Sequence, residues 1–340
     1  MKIENIKKFL YPSKHKYLPS VIIGGYERGG TTLLSDWLRS SDYFSYFEIG
    51  VLLHEDPISF EKDDVYFKNF KTELENKGLN LDISFKSFES FYRSIFFDSQ
   101  NKRSLFFDKT PKYMENLGNV IERAKFCDKF LIISRDPRCV FYSWSKRQKR
   151  KSETITECLH RNLKTYSERY LEYYLSSISF IEDERVLFIK YEDLCLDHIC
   201  IKQKIERFLS IDIETTQIFE RETYYDNVKS GFDYNKPFEA LEDLSDDFQI
   251  QILQKTKQAA IFFHNDKYKP QFIDGWSKDY IKAKKLIKKF DLKEHSMKLD
   301  NGFYFDPIGY YLRYPDILGK NVDAFKHFEL HGIKEGRIRR

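Results

Sequence analysis

Short apolar runs alternate with amphipathic stretches over much of the chain. Val21-Ile22-Ile23 is β-branched and ends in Gly24-Gly25, which predicts a buried strand that enters a tight loop. Three more apolar runs have the length of strands: Leu105-Phe106-Phe107, Phe130–Ile133 and Arg185–Ile189. Stretches with helical spacing follow these four runs, at residues 31–39, 113–124, 137–147 and 198–209. This order predicts an α/β fold, a parallel sheet of about four to five strands with helices on both faces.

Two parts of the sequence depart from this alternation. Residues 53–100 are aromatic and charged, which predicts a helical insertion over one end of the sheet. The Gly-, Pro- and Tyr-rich tail, residues 303–340, predicts two or three short helices that are too few to bury a core alone and therefore dock on the rest. We expect one large domain over residues 1–278, a basic linker or helix over 279–302, and a small α-helical C-terminal appendage over 303–340.

Composition excludes several classes of protein. The 340 residues are 41% hydrophobic and include 31 Phe and 23 Tyr, so wholesale disorder is excluded. No run reaches the ~18 uncharged apolar residues of a membrane span, and the N-terminal residues lack the apolar run of a signal peptide. The 5 cysteines form no C-x-x-C pair, which favours reduced thiols over a disulfide framework. We expect a cytoplasmic protein without a transmembrane segment.

The position of the charge says more than its total. The net charge of +4 is too small to indicate a partner, and we expect no nucleic-acid partner. Residues 280–298 hold seven lysines and two acids, and residues 146–151 hold five positive charges. Both segments are interpreted as solvated helix faces; the alternative for the first is peripheral contact with an anionic polymer or with the inner face of a membrane.

A glycine-rich loop follows the first predicted strand. Gly25 to Thr32 reads GYERGGTT, which has the G-x-x-x-x-G frame of a phosphate-binding loop. Glycines let successive N–H groups converge on an anion, and the next helix adds its positive dipole end. Thr31 stands where the lysine of an ATP- or GTP-hydrolysing loop would be, whereas Arg28 puts a permanent cation inside the loop. The loop is predicted to bind an anion; the alternative is a plain strand-to-helix turn.

A second candidate anion site follows the third strand. Arg135 comes directly after that strand, at the sheet edge where open α/β sheets bind ligands. Ser143 lies eight residues later, and Arg147 lies one helical turn beyond it on the same face. Guanidinium and hydroxyl groups that face one way form a candidate phosphate site. The alternative is a surface helix capped by Asp136.

Together these segments resemble the sulfotransferase family. GGYERGGTTLLSDWL resembles the family's 5′-phosphosulfate loop, and ISRDPRCVFYSWSKR resembles its 3′-phosphate motif. DKTPKY at 108–113 and IKYEDL at 189–194 are similar to the family as well, so the resemblance spans roughly residues 18–195. It implies a P-loop NTPase-like sulfotransferase fold and the donor 3′-phosphoadenosine-5′-phosphosulfate (PAPS), which leaves as PAP, with no metal required. The chain shows no convincing metal-ligand grouping of Cys and His, which agrees with that expectation.

The resemblance also implies roles for single residues. The 5′-phosphosulfate site would comprise Arg28, Gly29, Gly30, Thr31 and Thr32. The 3′-phosphate site would comprise Arg135 and Ser143, with Arg147 and Tyr191 as further donor contacts. Arg28 and Lys109 would stabilise the charge that grows on the leaving phosphate and the sulfuryl oxygens.

Glu48 is our candidate for the base that takes the acceptor proton. It lies one helix and one turn beyond the loop, in YFSYFEIG, where we expect the aromatic neighbours to desolvate its carboxylate and strengthen it as a proton acceptor. A similar arrangement is found in the glutamate-using branch of the family. His54 is the alternative base and Glu55 is a further rival; a helix-capping or surface Glu48 is the third interpretation.

The tail bears on the acceptor. FDPIGYYLRYPDILGKNVDAFKHFELHGIKEGR resembles a short helical module appended to bacterial enzymes of cell-surface polysaccharide synthesis. The resemblance implies a bacterial sulfotransferase that acts on a hydroxyl of a carbohydrate, either a polysaccharide or a lipid-linked glycan. A protein-tyrosine sulfotransferase is the alternative within the family. A P-loop nucleotide kinase and a non-catalytic PAP-binding protein are the alternatives outside that activity.

Overall fold

The structure is a computed structural model of the 340-residue chain. It describes residues 17–39, 43–62, 65–96, 105–213, 239–262, 273–292, 297–298, 304–305 and 307–337.

The centre of the fold is a five-stranded parallel sheet. Its strands β1–β5 are Pro19–Gly25, Tyr43–Phe44, Leu105–Lys109, Phe130–Ser134 and Val186–Lys190. They lie in the order β2-β3-β1-β4-β5, and every pairing between neighbours is parallel. The predicted α/β fold with a parallel sheet is therefore confirmed. The edge strand β2 was not predicted, because two residues are too few to show an apolar pattern.

The helices connect and cover the strands. Helices α1–α9 are Thr31–Arg39, Pro57–Glu61, Tyr66–Asn76, Phe88–Phe96, Leu117–Arg123, Pro137–Gln148, Ile155–Ser177, Tyr191–Leu196 and His198–Leu209. Helices α10–α15 are Glu239–Asp243, Asp246–Thr256, Ile273–Lys289, Pro307–Arg313, Pro315–Lys320 and Ala324–His327. Four 3₁₀ helices, a π-helix and a two-stranded antiparallel ribbon, β6 and β7, complete the described elements: Val51–Leu53, Pro111–Asn116, Ile178–Phe180, Lys257–Phe262, Phe328–Gly332, Met297–Lys298 and Tyr304–Phe305.

The sheet is buried on both faces. Along β1, Val21 and Ile23 point into one apolar cluster, and Ile22 between them points into the other. This alternation follows from the period of two along a strand, and it explains why the strands are apolar throughout rather than alternately polar. The carboxyl ends of all the strands consequently meet at one edge of a fully covered sheet.

The predicted insertion over residues 53–100 contains helices α2, α3 and α4 in its described part. Phe60, Phe70 and Phe91 are fully buried and belong to the larger core cluster. The insertion also holds the segment before the first 3₁₀ helix, because the Tyr46 hydroxyl donates to Ile95 O at 3.0 Å and Phe47 N–H donates to a carboxylate oxygen of Glu73 at 2.6 Å. That segment carries Glu48.

The C-terminal helices pack on the sheet domain. Helix α13 lies against α7 and α12, and its Tyr310 and Tyr311 are fully buried in the same apolar cluster as the residues of α7. Helix α12 carries much of the basic segment: Leu286 and Ile287 are buried, whereas Lys285, Lys288 and Lys289 are exposed. In the described ranges, no helix combines the length and the apolar character that crossing a bilayer requires.

Candidate active site

The polar residues predicted from sequence lie at the carboxyl edge of the sheet. Strand β1 leads into the glycine loop, β3 ends in Lys109, and β4 is followed by Arg135. Strands β3 and β4 flank β1 on its two sides, with Lys109 opposite Ile23 and Ile133 opposite Gly25. This arrangement brings Lys109 and Arg135, which follow Arg28 by 81 and 107 positions in the sequence, to the two sides of one loop.

The loop after β1 is a tight turn into helix α1. Gly29 N–H donates to Tyr26 O at 2.8 Å, and Arg28 between them has a φ of 67°. Gly30 has a φ of 100°, and a Cβ atom there would lie 2.3 Å from the Tyr191 ring. The loop therefore needs glycine at position 30, both for its backbone and for the close approach of Tyr191. Helix α1 begins at Thr31, so its first N–H groups have no partner within the helix and can face an anion.

Arg28 is contacted by both residues of the second predicted site. Its Nε donates to Ser143 Oγ at 3.1 Å, and Arg135 Nη1 donates to Arg28 O at 3.0 Å. The candidate 5′-phosphosulfate and 3′-phosphate residues therefore form one cluster. Two guanidinium groups in this cluster give it a strong positive charge.

Arg135 is held firmly from behind. The residue is only 6% exposed, and its guanidinium lies 4.2 Å over the ring of Tyr191, the first residue of helix α8. Its main chain is fixed by helix α7, since the Tyr170 hydroxyl donates to Arg135 O at 2.7 Å and Arg135 N–H donates to the Tyr174 hydroxyl at 3.0 Å. A buried, stacked guanidinium loses little freedom when it binds a phosphate.

A buried carboxylate follows Tyr191. Glu192 accepts a hydrogen bond from Asp136 N–H at 2.9 Å. Burial raises the pKa of Glu192 to about 7, and the nearby negative charge of Asp136 adds to this rise. Asp136 in turn caps helix α6 and pairs with Arg138. Glu192 therefore helps to fix the turn that presents Arg135, a role that was not predicted from the sequence.

Glu48 and Lys109 form an ion pair on the other side of β1. Lys109 Nζ donates to Glu48 Oε1 at 2.8 Å; the lysine side chain is 1% exposed and the glutamate side chain 28%. Burial lowers the pKa of Lys109, and the charge of Glu48 opposes this effect. The Phe47 ring lies 4.6 Å from Lys109 Nζ. The expected desolvation of Glu48 by aromatic neighbours is thus only partial, because its carboxylate reaches solvent and pairs with an ammonium group.

The other predicted residues lie as follows. His54 ends the short 3₁₀ helix after Glu48, and its ring lies 5.5 Å from Phe60 in the insertion. Glu55 is exposed. Thr31 is buried and Thr32 is partly exposed at the start of helix α1. Arg147 is exposed, one turn beyond Ser143.

Two further contacts of the site were missed. Glu27 in the loop accepts hydrogen bonds from Arg169 Nη2 and, at 3.0 Å, from the Tyr173 hydroxyl, both on helix α7. Asp108, next to Lys109, accepts hydrogen bonds from two buried tyrosines. Glu27 and Arg169 are 142 positions apart, and no local pattern links them. Asp108 is part of the DKTPKY element, and a carboxylate at the end of a buried apolar strand was the signal that could have indicated its role.

Among the residues that the structure describes, no group of three or more His, Cys, Asp and Glu side chains could hold a metal ion. The cysteines in these ranges form no disulfide bond, and four of the five are buried.

Comparison with solved structures gives matches of low sequence identity. The sulfotransferase domain of the Synechococcus olefin synthase is 16% identical with a TM-score of 0.48, and the match covers 73% of this chain and 97% of that domain. A sulfotransferase from Alicyclobacillus acidocaldarius is also 16% identical, with a TM-score of 0.41 and coverage of 73% and 98%. A mouse sulfotransferase complexed with PAP is 14% identical, with a TM-score of 0.41 and coverage of 72% and 85%. A comparison with curated proteins found no match.

Comparison with protein families gives a direct result. The model of the Sulfotransferase family matches residues 19–215, which is more than half of the chain. The match begins with β1 and extends past helix α9, so it contains the glycine loop, Lys109, Arg135, Ser143 and Tyr191. The chain therefore belongs to the sulfotransferase family.

Proposed function

We propose that the protein transfers a sulfuryl group from PAPS to a hydroxyl group of a carbohydrate. The observation that carries this proposal is the cluster around Arg28, in which Ser143 accepts from its side chain and Arg135 donates to its main-chain oxygen. A donor with phosphate groups at both its 3′ and 5′ positions would engage both parts of such a cluster. A nucleotide with a single phosphorylated position would leave one part unused.

The residues present suit an anionic donor. Arg28, the amide group of Gly30, and the hydroxyls of Thr31 and Thr32 would hold the 5′-phosphosulfate, whereas Gly29, whose N–H donates to Tyr26 O, would shape the loop. Arg135 and Ser143 would hold the 3′-phosphate, with Tyr191 supporting Arg135 from below and Arg147 close enough along helix α6 to add charge at the rim. The left-handed backbone at Arg28 and the absence of a side chain at Gly30 fix the tight course of this loop.

On the acceptor side, Glu48 would take the proton of the attacking hydroxyl. Bound PAPS supplies an electrophilic sulfur: the acceptor oxygen forms a bond to sulfur while the bond between sulfur and the 5′-phosphate oxygen breaks, and PAP leaves. Lys109 pairs with Glu48 before the reaction and places a positive charge beside the transferring group. Arg28 places a second positive charge where the leaving phosphate gains negative charge.

The carbohydrate acceptor is proposed from the C-terminal residues. Their resemblance to a module of polysaccharide-synthesis enzymes supports a glycan hydroxyl as the acceptor. Transfer would then take place in the cytoplasm or at the inner face of the membrane. The exposed lysines Lys285, Lys288 and Lys289 of helix α12 give the protein a cationic face beside this module, which supports peripheral contact with an anionic glycan or with that membrane surface. The division into residues 1–278, 279–302 and 303–340 belongs to the same proposal.

A ligand screen tests the donor. PAP should raise the melting temperature without Mg²⁺, and ATP or GTP should not, with or without Mg²⁺. A preference for ATP with Mg²⁺ would contradict the proposal and favour a nucleotide kinase. Stabilisation by PAP without any transfer would indicate a PAP-binding protein.

A second experiment tests the acceptor. Radiolabelled PAPS is supplied with a panel of p-nitrophenyl glycosides and, separately, with a tyrosine-containing peptide. Label should move to a glycoside. Transfer to the peptide alone would replace the carbohydrate acceptor by a protein tyrosine.

A further inference from the structure

Asp108 is a fully buried carboxylate beside the Glu48–Lys109 pair. Alternation along β3 turns its side chain away from that of Lys109, and the hydroxyls of Tyr92 and Tyr113 donate to its Oδ2 at 2.5 and 2.6 Å. Burial raises the pKa of Asp108 to about 6, and the two tyrosine hydrogen bonds oppose this rise. The two tyrosine hydroxyls thus make the Asp108 carboxylate a fixed hydrogen-bond acceptor inside the core.

This carboxylate orients two hydroxyl groups that hold backbone. Thr110 Oγ1 lies 3.5 Å from Asp108 Oδ1 and accepts from Gly50 N–H at 3.0 Å. A hydroxyl has one proton, so donating it to Asp108 leaves a lone pair for Gly50. In the same way Tyr113 donates to Asp108 and accepts from Leu52 N–H at 3.5 Å. Asp108 is thereby linked to the backbone of residues 50 and 52.

The backbone held in this way belongs to the segment that carries Glu48. Glu48 has a φ of 40° and Gly50 a φ of 77°. A non-glycine residue in the left-handed region costs roughly 1–2 kcal/mol, so surrounding contacts must impose this conformation. Glu48 lies between two such contacts, the bond of Phe47 N–H to Glu73 on one side and the bond of Gly50 N–H to Thr110 on the other.

We propose that Asp108 is a positioning residue for the Glu48–Lys109 pair: it orients the Thr110 hydroxyl, which fixes Gly50 and with it the Glu48 carboxylate above Lys109. Lys109 follows Asp108 directly, so the end of one strand positions both members of the pair. This inference rests on the proposed function, in which Glu48 accepts the proton of the acceptor. A displacement of the reacting groups by ~1 Å can cost on the order of a hundredfold in rate.

The test uses Thr110, because Asp108→Asn disturbs the core directly and can prevent folding. Thr110→Val keeps the shape of the side chain and removes the hydroxyl, whereas Thr110→Ser keeps the hydroxyl. Thr256→Val is the matched control, since Thr256 is also fully buried but its hydroxyl donates to Ile252 O within its own helix, at 2.8 Å. Turnover is measured with radiolabelled PAPS and the best p-nitrophenyl glycoside, and PAP affinity by calorimetry.

We expect Thr110→Val to lower kcat roughly 10- to 100-fold while the Kd for PAP stays within about twofold of wild type. Thr110→Ser and Thr256→Val should keep wild-type turnover. In the Glu48→Gln background, Thr110→Val should cause no further loss, because it acts through Glu48. A lower kcat with an unchanged Kd for PAP, lost in the Glu48→Gln background, would not arise from general loosening of the fold.

Three results would overturn the inference alone, given an active wild type and an impaired Glu48→Gln variant. These are wild-type kcat in Thr110→Val, a parallel rise in the Kd for PAP, and an equal loss in the Glu48→Gln background. A wild type that transfers nothing from PAPS, or a fully active Glu48→Gln variant, would instead overturn the proposed function, and the inference with it.

Discussion

Replacing Arg135 by Lys would keep the positive charge beside the glycine loop but remove the planar guanidinium. In the structure this group donates to Arg28 O at 3.0 Å and lies 4.2 Å over the ring of Tyr191. An ammonium group is a compact charge that cannot lie flat on the ring, hold the loop carbonyl and donate in parallel to a phosphate. We therefore expect R135K to bind PAP more weakly although the net charge is unchanged.

The size of the effect follows from these contacts. A hydrogen bond to a charged group contributes roughly 1.5–3 kcal/mol, and a cation–π contact contributes roughly 0.5–2 kcal/mol. Lysine retains part of both, so the expected net loss is about 1.5–3 kcal/mol. At about 1.4 kcal/mol for each factor of ten, the Kd for PAP should rise roughly 10- to 100-fold.

Calorimetry with PAP and with 5′-AMP, which lacks the 3′-phosphate, measures this effect. R135K should lose most of the preference for PAP over 5′-AMP. The matched control is R185K, because Arg185 pairs with Asp183 at the other end of the sheet and should not affect either nucleotide. An unchanged Kd for PAP, or an equal loss for both nucleotides, would refute the assignment of Arg135 to the 3′-phosphate.

Three further predictions concern the base, the loop and stability. E48Q should lower kcat by roughly 10²–10⁴-fold without changing the Kd for PAP, and H54Q should remain active; the opposite ranking in a turnover assay would make His54 the base. Gly30→Ala should abolish PAP binding in calorimetry, because its Cβ would lie 2.3 Å from the Tyr191 ring, whereas Gly319→Ala, with nothing within 4 Å, should bind normally; equal binding by both would contradict the steric argument. Because burial raises the pKa of Glu192 from 4.5 to about 7, the folded state holds this proton more tightly than the unfolded chain, and stability should fall as pH rises through that window. In urea unfolding, wild type should lose roughly 3 kcal/mol more than E192Q between those pH values; parallel curves would argue against a buried, titrating Glu192.

The sequence could single out the candidate donor-side residues because their signals are local. Arg28 lies in a loop whose glycines and flanking elements are visible in eight consecutive residues, and Arg135 and Ser143 are joined by the spacing of one helix. In a parallel sheet the carboxyl ends of the strands share one edge, so both segments are expected at that edge. In the structure these residues are in direct contact.

The supporting contacts could not be predicted in the same way. Glu27 and Arg169 meet across 142 positions, and Tyr92 reaches Asp108 from the helical insertion. Such pairs depend on how elements pack, which leaves no trace in spacing or composition. The environment of Glu48 was misjudged for a related reason: aromatic neighbours in sequence suggested burial, but the fold turns the carboxylate toward Lys109 and partly toward solvent.

The two left-handed residues at the site carry a consequence for heat resistance. Arg28 and Glu48 both have positive φ values, 67° and 40°. This left-handed region is readily accessible to glycine and strained for other residues. Glycine at either position would relieve on the order of 1 kcal/mol of that strain. At position 28 this relief opposes the retention of a side chain proposed for catalysis. At position 48 it does not, because loss of the carboxylate would leave the buried ammonium of Lys109 without its ion-pair partner, which costs more than the strain relieved.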